Sequence, residues 1–199
     1  EVKEVDPKEF FTKVLNSDYL STQPLIRGIL TELLPRLPKM EIIMDPIGMD
    51  DKNPGKFKYD VAEDKITLRI STKEKHLAQN SIERVAIHEL IHAVTVDGMG
   101  IKGKDRIVTT PFGKKLEALM NKAKKVPALK NHYGTSHPAE FIAEALSNPE
   151  FQAELAKIPD EGGKNLLQAL KEIIQDFLGI QDTAVLDAAM EAAFEDISK

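Results

Sequence analysis

Apolar residues recur every three to four positions in several stretches of the chain, and each such stretch predicts an amphipathic helix. Proline or a capping residue stands at the start of most of these stretches, as expected where helices begin. The helices predicted by this pattern cover residues 6–15, 22–34, 82–96, 110–125, 137–146, 149–157, 165–178 and 183–197.

A second pattern predicts strands before residue 80. Residues 40–44 form a short, mostly apolar run, and residues 57–61 and 65–70 alternate apolar with polar positions, as the two strands of a hairpin do. The mixture predicts an α+β fold in one domain, residues 1–199, with a small mixed sheet in residues 1–100 and a mainly helical lobe in residues 101–199. His76, in a lysine-rich stretch, is expected at the surface.

The helix predicted over residues 82–96 carries the sequence His88-Glu89-Leu90-Ile91-His92. Two histidines four residues apart project from one helix face, so both imidazoles can reach one metal ion. This H-E-x-x-H pattern is the signature of zinc metallopeptidases. Zinc lowers the pKa of its bound water towards about 7, and the glutamate takes the proton.

The surroundings of this motif favour a genuine helix. Ser81 is a suitable N-cap, residues 82–96 contain no proline or glycine, and Gly98 is expected to cap the end. The alternative is a packed amphipathic helix that carries two histidines by chance. Against it, the histidines lie away from the apolar stripe formed by Ala86, Ile87, Leu90, Ile91, Ala93 and Val94.

A catalytic zinc usually has a third protein ligand. An extended motif with glycine at 95 and histidine at 98 is excluded, because the chain has Thr95 and Gly98 there. Asp97 would lie on the face opposite His88 and is a poor ligand. The third ligand is therefore sought farther along the chain.

Glu140 and Glu144 are the best candidates, because they share one side of the otherwise apolar helix predicted over residues 137–146. Ser136 is the expected cap of this helix, and Pro138 suits its first turn. We assign Glu140 as the metal ligand and Glu144 as the carboxylate that holds a ligating histidine in its tautomer. The alternative is an ordinary solvated acidic face.

Residues 133–145, Tyr-Gly-Thr-Ser-His-Pro-Ala-Glu-Phe-Ile-Ala-Glu-Ala, resemble the second motif of the anthrax lethal factor catalytic domain and of the related Pro-Pro endopeptidases. Continued to residue 152, the block is also similar to peptidase-like domains in very large phage-encoded proteins. The lethal factor domain and the Pro-Pro endopeptidases are gluzincins. The resemblance covers about residues 60–152 and implies a zincin-like, two-lobed fold and one catalytic zinc ion.

The resemblance also implies roles for single residues. His88, His92 and Glu140 would be the zinc ligands, and Glu89 the general base. Tyr133, seven residues before Glu140, would polarise the substrate carbonyl.

Simple chemistry supports such a tyrosine, since a phenol hydroxyl near the metal can donate to a developing oxyanion. His132 and His137 flank Tyr133 and are alternative donors or substrate contacts. A half-buried loop tyrosine without a catalytic role is the plain alternative.

Composition narrows the partners. The chain is 42% hydrophobic and 30% charged, and its net charge of −5 offers no basic footprint for nucleic acid. It has no cysteine, which excludes disulfides and thiolate ligands. No apolar run approaches the roughly 18 residues of a membrane span. A protein or peptide substrate is the expected partner, and a monomer is the default.

Where the protein acts stays open. The chain begins at Glu1, which fits both a processed mature form and a domain of a longer protein. A secreted, toxin-like setting and a phage-delivered one both agree with the resemblance. The cluster of Lys102, Lys104 and Arg106 is first a solvated surface, and a preference for acidic substrates is the alternative.

A zinc-dependent endopeptidase is the function that these features favour. A catalytically silent zincin-like module of a larger, for example phage-encoded, protein is the alternative. An exopeptidase would need a group that holds a substrate terminus, and no feature of the sequence identifies one.

Overall fold

The computed structural model describes residues 1–47, 52–79, 81–180 and 184–197. Within these ranges the chain is α+β, with ten α-helices and one mixed sheet of four strands. Its internal contacts divide it into two compact units, Glu1–Val94 and Thr95–Lys199. The sheet belongs to the first unit, and the second unit is helical.

The first unit combines the sheet with five helices. Its strands are β1 (Lys3–Val5), β2 (Met40–Asp45), β3 (Gly55–Asp60) and β4 (Lys65–Ser71). Its helices are α1 (Pro7–Leu15), α2 (Asp18–Ser21), α3 (Pro24–Leu33), α4 (Glu74–Leu77) and α5 (Ile82–Thr95), whose last residue is assigned to the second unit. Three elements were not predicted. The three-residue β1 and the four-residue α2 and α4 are too short to show a hydrophobic period.

The strands lie in the order β1-β2-β4-β3. Strands β2 and β4 pair in parallel, while β1–β2 and β3–β4 are antiparallel. The predicted hairpin is therefore confirmed as β3–β4, in a register that sets Phe57 opposite Leu68. Because β4 is internal, β3 and β1 form the edges of the sheet.

One face of the sheet is apolar. Ile42, Leu68 and Phe57 lie side by side in register across three strands, and neighbours in register share a face. Ile42 and Leu68 are fully buried. The helices of this unit contribute further fully buried side chains to its core, namely Phe11, Leu20, Leu25, Ile26, Leu30, Ile87 and Leu90.

His76 is buried, with only 3% of its surface exposed, so the expectation of a surface residue is wrong. Its Nδ1 lies 2.6 Å from the hydroxyl of Ser71 at the end of β4. Helix α4 has four residues, of which His76 alone is buried. One inward position in one helical turn leaves no period for the sequence to display.

The second unit consists of α6 (Pro111–Ala123), α7 (Pro138–Ser147), α8 (Pro149–Ala156), α9 (Leu166–Leu178) and α10 (Ala184–Ile197). All five helices agree with the prediction to within two residues at either end. Thr183, the predicted start of α10, lies outside the described residues. Side chains of Thr110, Asn148 and Asn165 cap the starts of α6, α8 and α9 by accepting hydrogen bonds from backbone N–H groups.

Aromatic contacts organise the core of the second unit. Phe141 of α7 and Phe151 of α8 meet edge to face, with ring centroids 5.9 Å apart, and both are almost completely buried. Phe112 of α6 stacks on Phe177 of α9 with centroids 3.9 Å apart. The first contact fixes α7, which carries Glu140, against α8, and the second joins α6 to α9.

The predicted cap of α5 at Gly98 is wrong. After Thr95 the chain tightens into a 3-10 turn at Asp97–Met99, and the left-handed position that follows is Gly100, with φ 58°. Gly98 instead lies against the ring of Phe177, where a Cβ would come within 2.3 Å of a ring carbon.

None of the helices that the structure describes combines the length and the apolar character needed to cross a membrane.

Candidate metal centre

Helix α5 positions the H-E-x-x-H residues. Its predicted N-cap is confirmed, because Ser81 Oγ accepts a hydrogen bond of 3.1 Å from the backbone N of Arg84. Val85, Ala86, Ile87, Leu90 and Ile91 are buried along the helix. Such packing holds the helix axis, and with it the direction in which the histidines project.

The two histidine rings meet through their Nε2 atoms, which are 3.1 Å apart. The rings are nearly perpendicular, at 79°, with centroids separated by 4.8 Å. His92 is 8% exposed, and His88 is half-buried. In a chance motif the two histidines would be solvated. Here the nitrogens converge and the rings are largely covered, which speaks against that alternative.

Phe57 of strand β3 covers His92. The two rings stack at an angle of 20° with centroids 6.0 Å apart. Phe57 could not be recognised from the sequence as part of the site, because the alternating pattern around it indicates only a strand. This contact links the sheet to the orientation of a proposed metal ligand.

Helix α7 positions the two acids. His137, not Ser136 as predicted, is its N-cap: His137 Nδ1 accepts a hydrogen bond from the backbone N of Ala139. Ser136 ends the preceding 3-10 turn, where its hydroxyl donates to the carbonyl of Tyr133. Pro138 occupies the first turn of α7, as predicted.

Glu140 and Glu144 are half-buried on a helix whose other positions are buried. One carboxylate oxygen of Glu144 accepts a hydrogen bond of 2.8 Å from the side-chain amide of Asn148. The same Asn148 caps α8 through bonds from the backbone N–H groups of Glu150 and Phe151. Asn148 therefore fixes Glu144 relative to two helices, a role that the sequence signalled only as the Asn-Pro start of α8.

Tyr133 opens a 3-10 turn, Tyr133–Thr135, that packs against α7. The residue is 58% exposed. The next residue, Gly134, allows the turn to approach closely, because a Cβ there would lie 2.9 Å from the ring of Phe151 and 3.0 Å from Glu144 Cβ. The exposed phenol is thus carried on a turn whose backbone is firmly packed.

His132 and His137 have structural roles in the second unit. His132 Nδ1 accepts a bond of 2.9 Å from the backbone N of Gly134, and the ring stacks on Phe151 with centroids 4.6 Å apart. His137 uses both nitrogens, since Nε2 donates to the carbonyl of Arg106 at 2.8 Å while Nδ1 caps α7. His137 therefore has no ring nitrogen left for a substrate. In His132, Nδ1 is the acceptor, so the ring proton lies on Nε2 and that nitrogen could still donate.

Among the described residues, one group of acidic and histidine side chains has the geometry to hold a metal ion: His88, His92 and Glu140. One ligand atom from each lies within 4.8 Å of the other two. The same three residues are the ligands predicted from the sequence.

Comparisons of the chain with protein-family models, with curated proteins and with solved structures returned no match.

Proposed function

We propose that this protein is a zinc-dependent endopeptidase of the gluzincin type, with a zincin-like fold. The observation that carries the proposal is the convergence of donor atoms from His88, His92 and Glu140. The H-E-x-x-H sequence supplies the glutamate that such chemistry requires.

The distance between the two histidines supports zinc as the metal. Two nitrogens bound to a tetrahedral zinc at about 2.0–2.1 Å lie about 3.3 Å apart, close to the 3.1 Å between the Nε2 atoms. Two imidazoles and one carboxylate are also the ligand set of several catalytic zinc sites, which leave the fourth position to water. The same nitrogens can share an N–H···N hydrogen bond, whose proton metal binding would displace.

When bound, zinc supplies a water of lowered pKa and polarises the peptide carbonyl. Glu89 would take a proton from the attacking water as the water oxygen forms a bond to the carbonyl carbon. As the C–N bond breaks, Glu89 would pass the proton to the leaving amine. Glu89 is 9% exposed, so its carboxylate is shielded from competing solvent.

The second unit contributes Glu140 as a ligand and Tyr133 as the donor to the developing oxyanion. Glu144, held by Asn148, is proposed to orient a ligating histidine. Strand β3 is the proposed docking edge for an extended peptide, because it lies at the edge of the sheet and its Phe57 contacts His92.

Hydrolysis of a broad peptide library by the zinc-loaded protein tests the proposal. We expect cleavage products by mass spectrometry, their loss on chelation, and recovery when zinc is restored. Chelated and restored samples should share one circular dichroism spectrum, so that loss of activity is not loss of fold. A protein that binds zinc and cleaves no peptide in the library would overturn the proposal in favour of a silent zincin-like module.

A further inference from the structure

Two residues of β3 face a single stripe of α5. Gly55 and Phe57 are two apart in the strand and therefore share one face of the sheet. Val85, Glu89 and His92 follow one another at helical spacing along α5. The contacts between these two rows concern the proposed base and one proposed ligand.

Gly55 lies where no side chain fits. A Cβ at this position would be 2.6 Å from Val85 Cγ1 and 2.8 Å from both Cγ and Oε1 of Glu89. Side-chain atoms do not approach a Cβ so closely, so both neighbours would have to move away from it. Val85 and Glu89 are both buried, which leaves them little room.

The need for glycine here is one of space. Gly55 does not adopt the left-handed backbone conformation, and it pairs opposite Ile70 in the antiparallel ladder. Glycine inside a strand weakens the strand, and it commonly marks a close approach of another group. At this position the approaching group is the carboxylate of Glu89.

Phe57 acts on the next turn of the same helix. Its ring lies against the imidazole of His92 with an interplanar angle of 20°. In the ladder Phe57 is opposite Leu68, which is fully buried, so the ring is anchored in the sheet. The sheet thus presents an empty position to Glu89 and an aromatic surface to His92.

We propose that β3 is the positioning strand of the catalytic helix, with Gly55 setting the place of the Glu89 carboxylate and Phe57 setting the orientation of the His92 ring. The proposal rests on the proposed function for its effect on turnover. In this role both residues act from the face of β3 through their neighbours on α5, and not from the free edge of the strand, where a peptide would pair.

Separate effects on turnover and on zinc affinity are the signature of this arrangement. Gly55→Ala should lower kcat by about 10²-fold, the scale of a misplacement of about 1 Å, and leave KM and zinc affinity unchanged. Phe57→Leu should weaken zinc binding by about 10-fold, the lower end for residues that orient a ligand. Thr67→Ala, on the polar face of neighbouring β4, is the control and should change neither quantity.

A second measurement needs no enzymatic activity. Gly55→Ala should lower the melting temperature less in a Glu89→Ala background than in the wild type, because the variant lacks the Cγ and Oε1 that a Cβ at position 55 would meet. With Glu89 present, adding Val85→Ala to Gly55→Ala should relieve the clash with Val85 and recover part of the melting temperature, while kcat stays low because the Cβ at position 55 still meets Glu89.

The outcomes separate this proposal from the proposed function. If the loss of melting temperature depends on Glu89 but the protein cleaves no peptide, the proposed function is overturned and the close packing of Gly55 on Glu89 still stands. Equal losses of melting temperature in both backgrounds would overturn the positioning role, even in an active enzyme. A parallel fall of kcat and zinc affinity in Gly55→Ala would also overturn it, since general loosening of the fold would then explain the effect.

Discussion

Helices α5 and α7 supply the proposed metal ligands, and they are held in place in different ways. The ligands of α5 depend on a distant part of the chain, because Phe57 of β3 covers His92. Helix α7 is packed within the helical unit, where Phe141 meets Phe151, and a polar network of neighbours in sequence adds to this packing. His137 caps the start of α7 and Asn148 binds Glu144. His92 thus depends on packing against the sheet, whereas the acid Glu144 depends on a hydrogen bond from nearby in the sequence.

The difference matters for robustness. Packing against a sheet tolerates little change of volume, as at Gly55, whereas a polar network fails when one donor or acceptor is lost. Substitutions near α5 should therefore act through shape, and substitutions near α7 through single hydrogen bonds. The predictions below test this contrast from the largest effect to the smallest.

Glu89→Gln should have the largest effect. It keeps the volume of the side chain in its packed position and removes the base, so kcat should fall by about 10⁴-fold while zinc stoichiometry stays the same. Glu83→Gln, in the first turn of the same helix, is the matched control. Full activity of Glu89→Gln in steady-state kinetics would contradict the mechanism.

Tyr133→Phe should lower kcat by about 10²-fold, the cost of one oxyanion donor. Because Tyr133 is 58% exposed, the melting temperature should change little. Tyr19→Phe, in helix α2, should leave kcat unchanged. An unaltered rate in Tyr133→Phe would move the donor role to His132, since both ring nitrogens of His137 are already engaged.

Asn148→Ala tests the polar network around α7. It removes both the cap of α8 and the hydrogen bond to Glu144, so we expect a stability loss of about 1 kcal/mol and zinc binding weakened by about 10-fold or more. Asn165→Ala removes the equivalent cap of α9 and should cost similar stability with no change in zinc affinity. Equal zinc affinities in the two variants, measured by competitive titration, would show that Asn148 does not act on the site.

The pair of Lys122 and Asp160 should give the smallest effect. The hydrogen bond from Lys122 holds the pKa of the Asp160 carboxyl below its ordinary value of 3.8. A lowered folded-state pKa stabilises the protein above the ordinary value, and this contribution is lost as pH falls through the folded-state pKa. Lys122→Gln should therefore lower the melting temperature slightly at pH 7, and the difference should disappear as the pH falls through the lowered pKa of Asp160, which lies below 3.8. A difference that persists there would point to packing instead.

The sequence predicts local features well and long-range ones poorly. Thr110 and Asn165 mark the starts of α6 and α9, and each lies next to the helix that it caps. Both helices could therefore be predicted from the sequence alone. The hairpin of β3 and β4 was visible for the same reason. The parallel pairing of β2 with β4 joins distant segments, and no local pattern announces it.

The candidate site divides along the same line. His88 and His92, like Glu140 and Glu144, are four residues apart, which is the spacing of one helix face. The proposed ligands could therefore be assigned before the structure was known. The contacts of Gly55 and Phe57 with α5 required coordinates, because a glycine and an aromatic residue in a strand carry no sign of what they face.

The most direct test of the central claim is the metal content of the untagged protein, measured by mass spectrometry beside two variants. We predict about one zinc per chain, lost or sharply reduced in Glu140→Ala and retained in Glu150→Ala, the corresponding acid in the first turn of α8. No zinc in the wild-type protein even after reconstitution, or equal zinc in both variants, would contradict a site built from His88, His92 and Glu140.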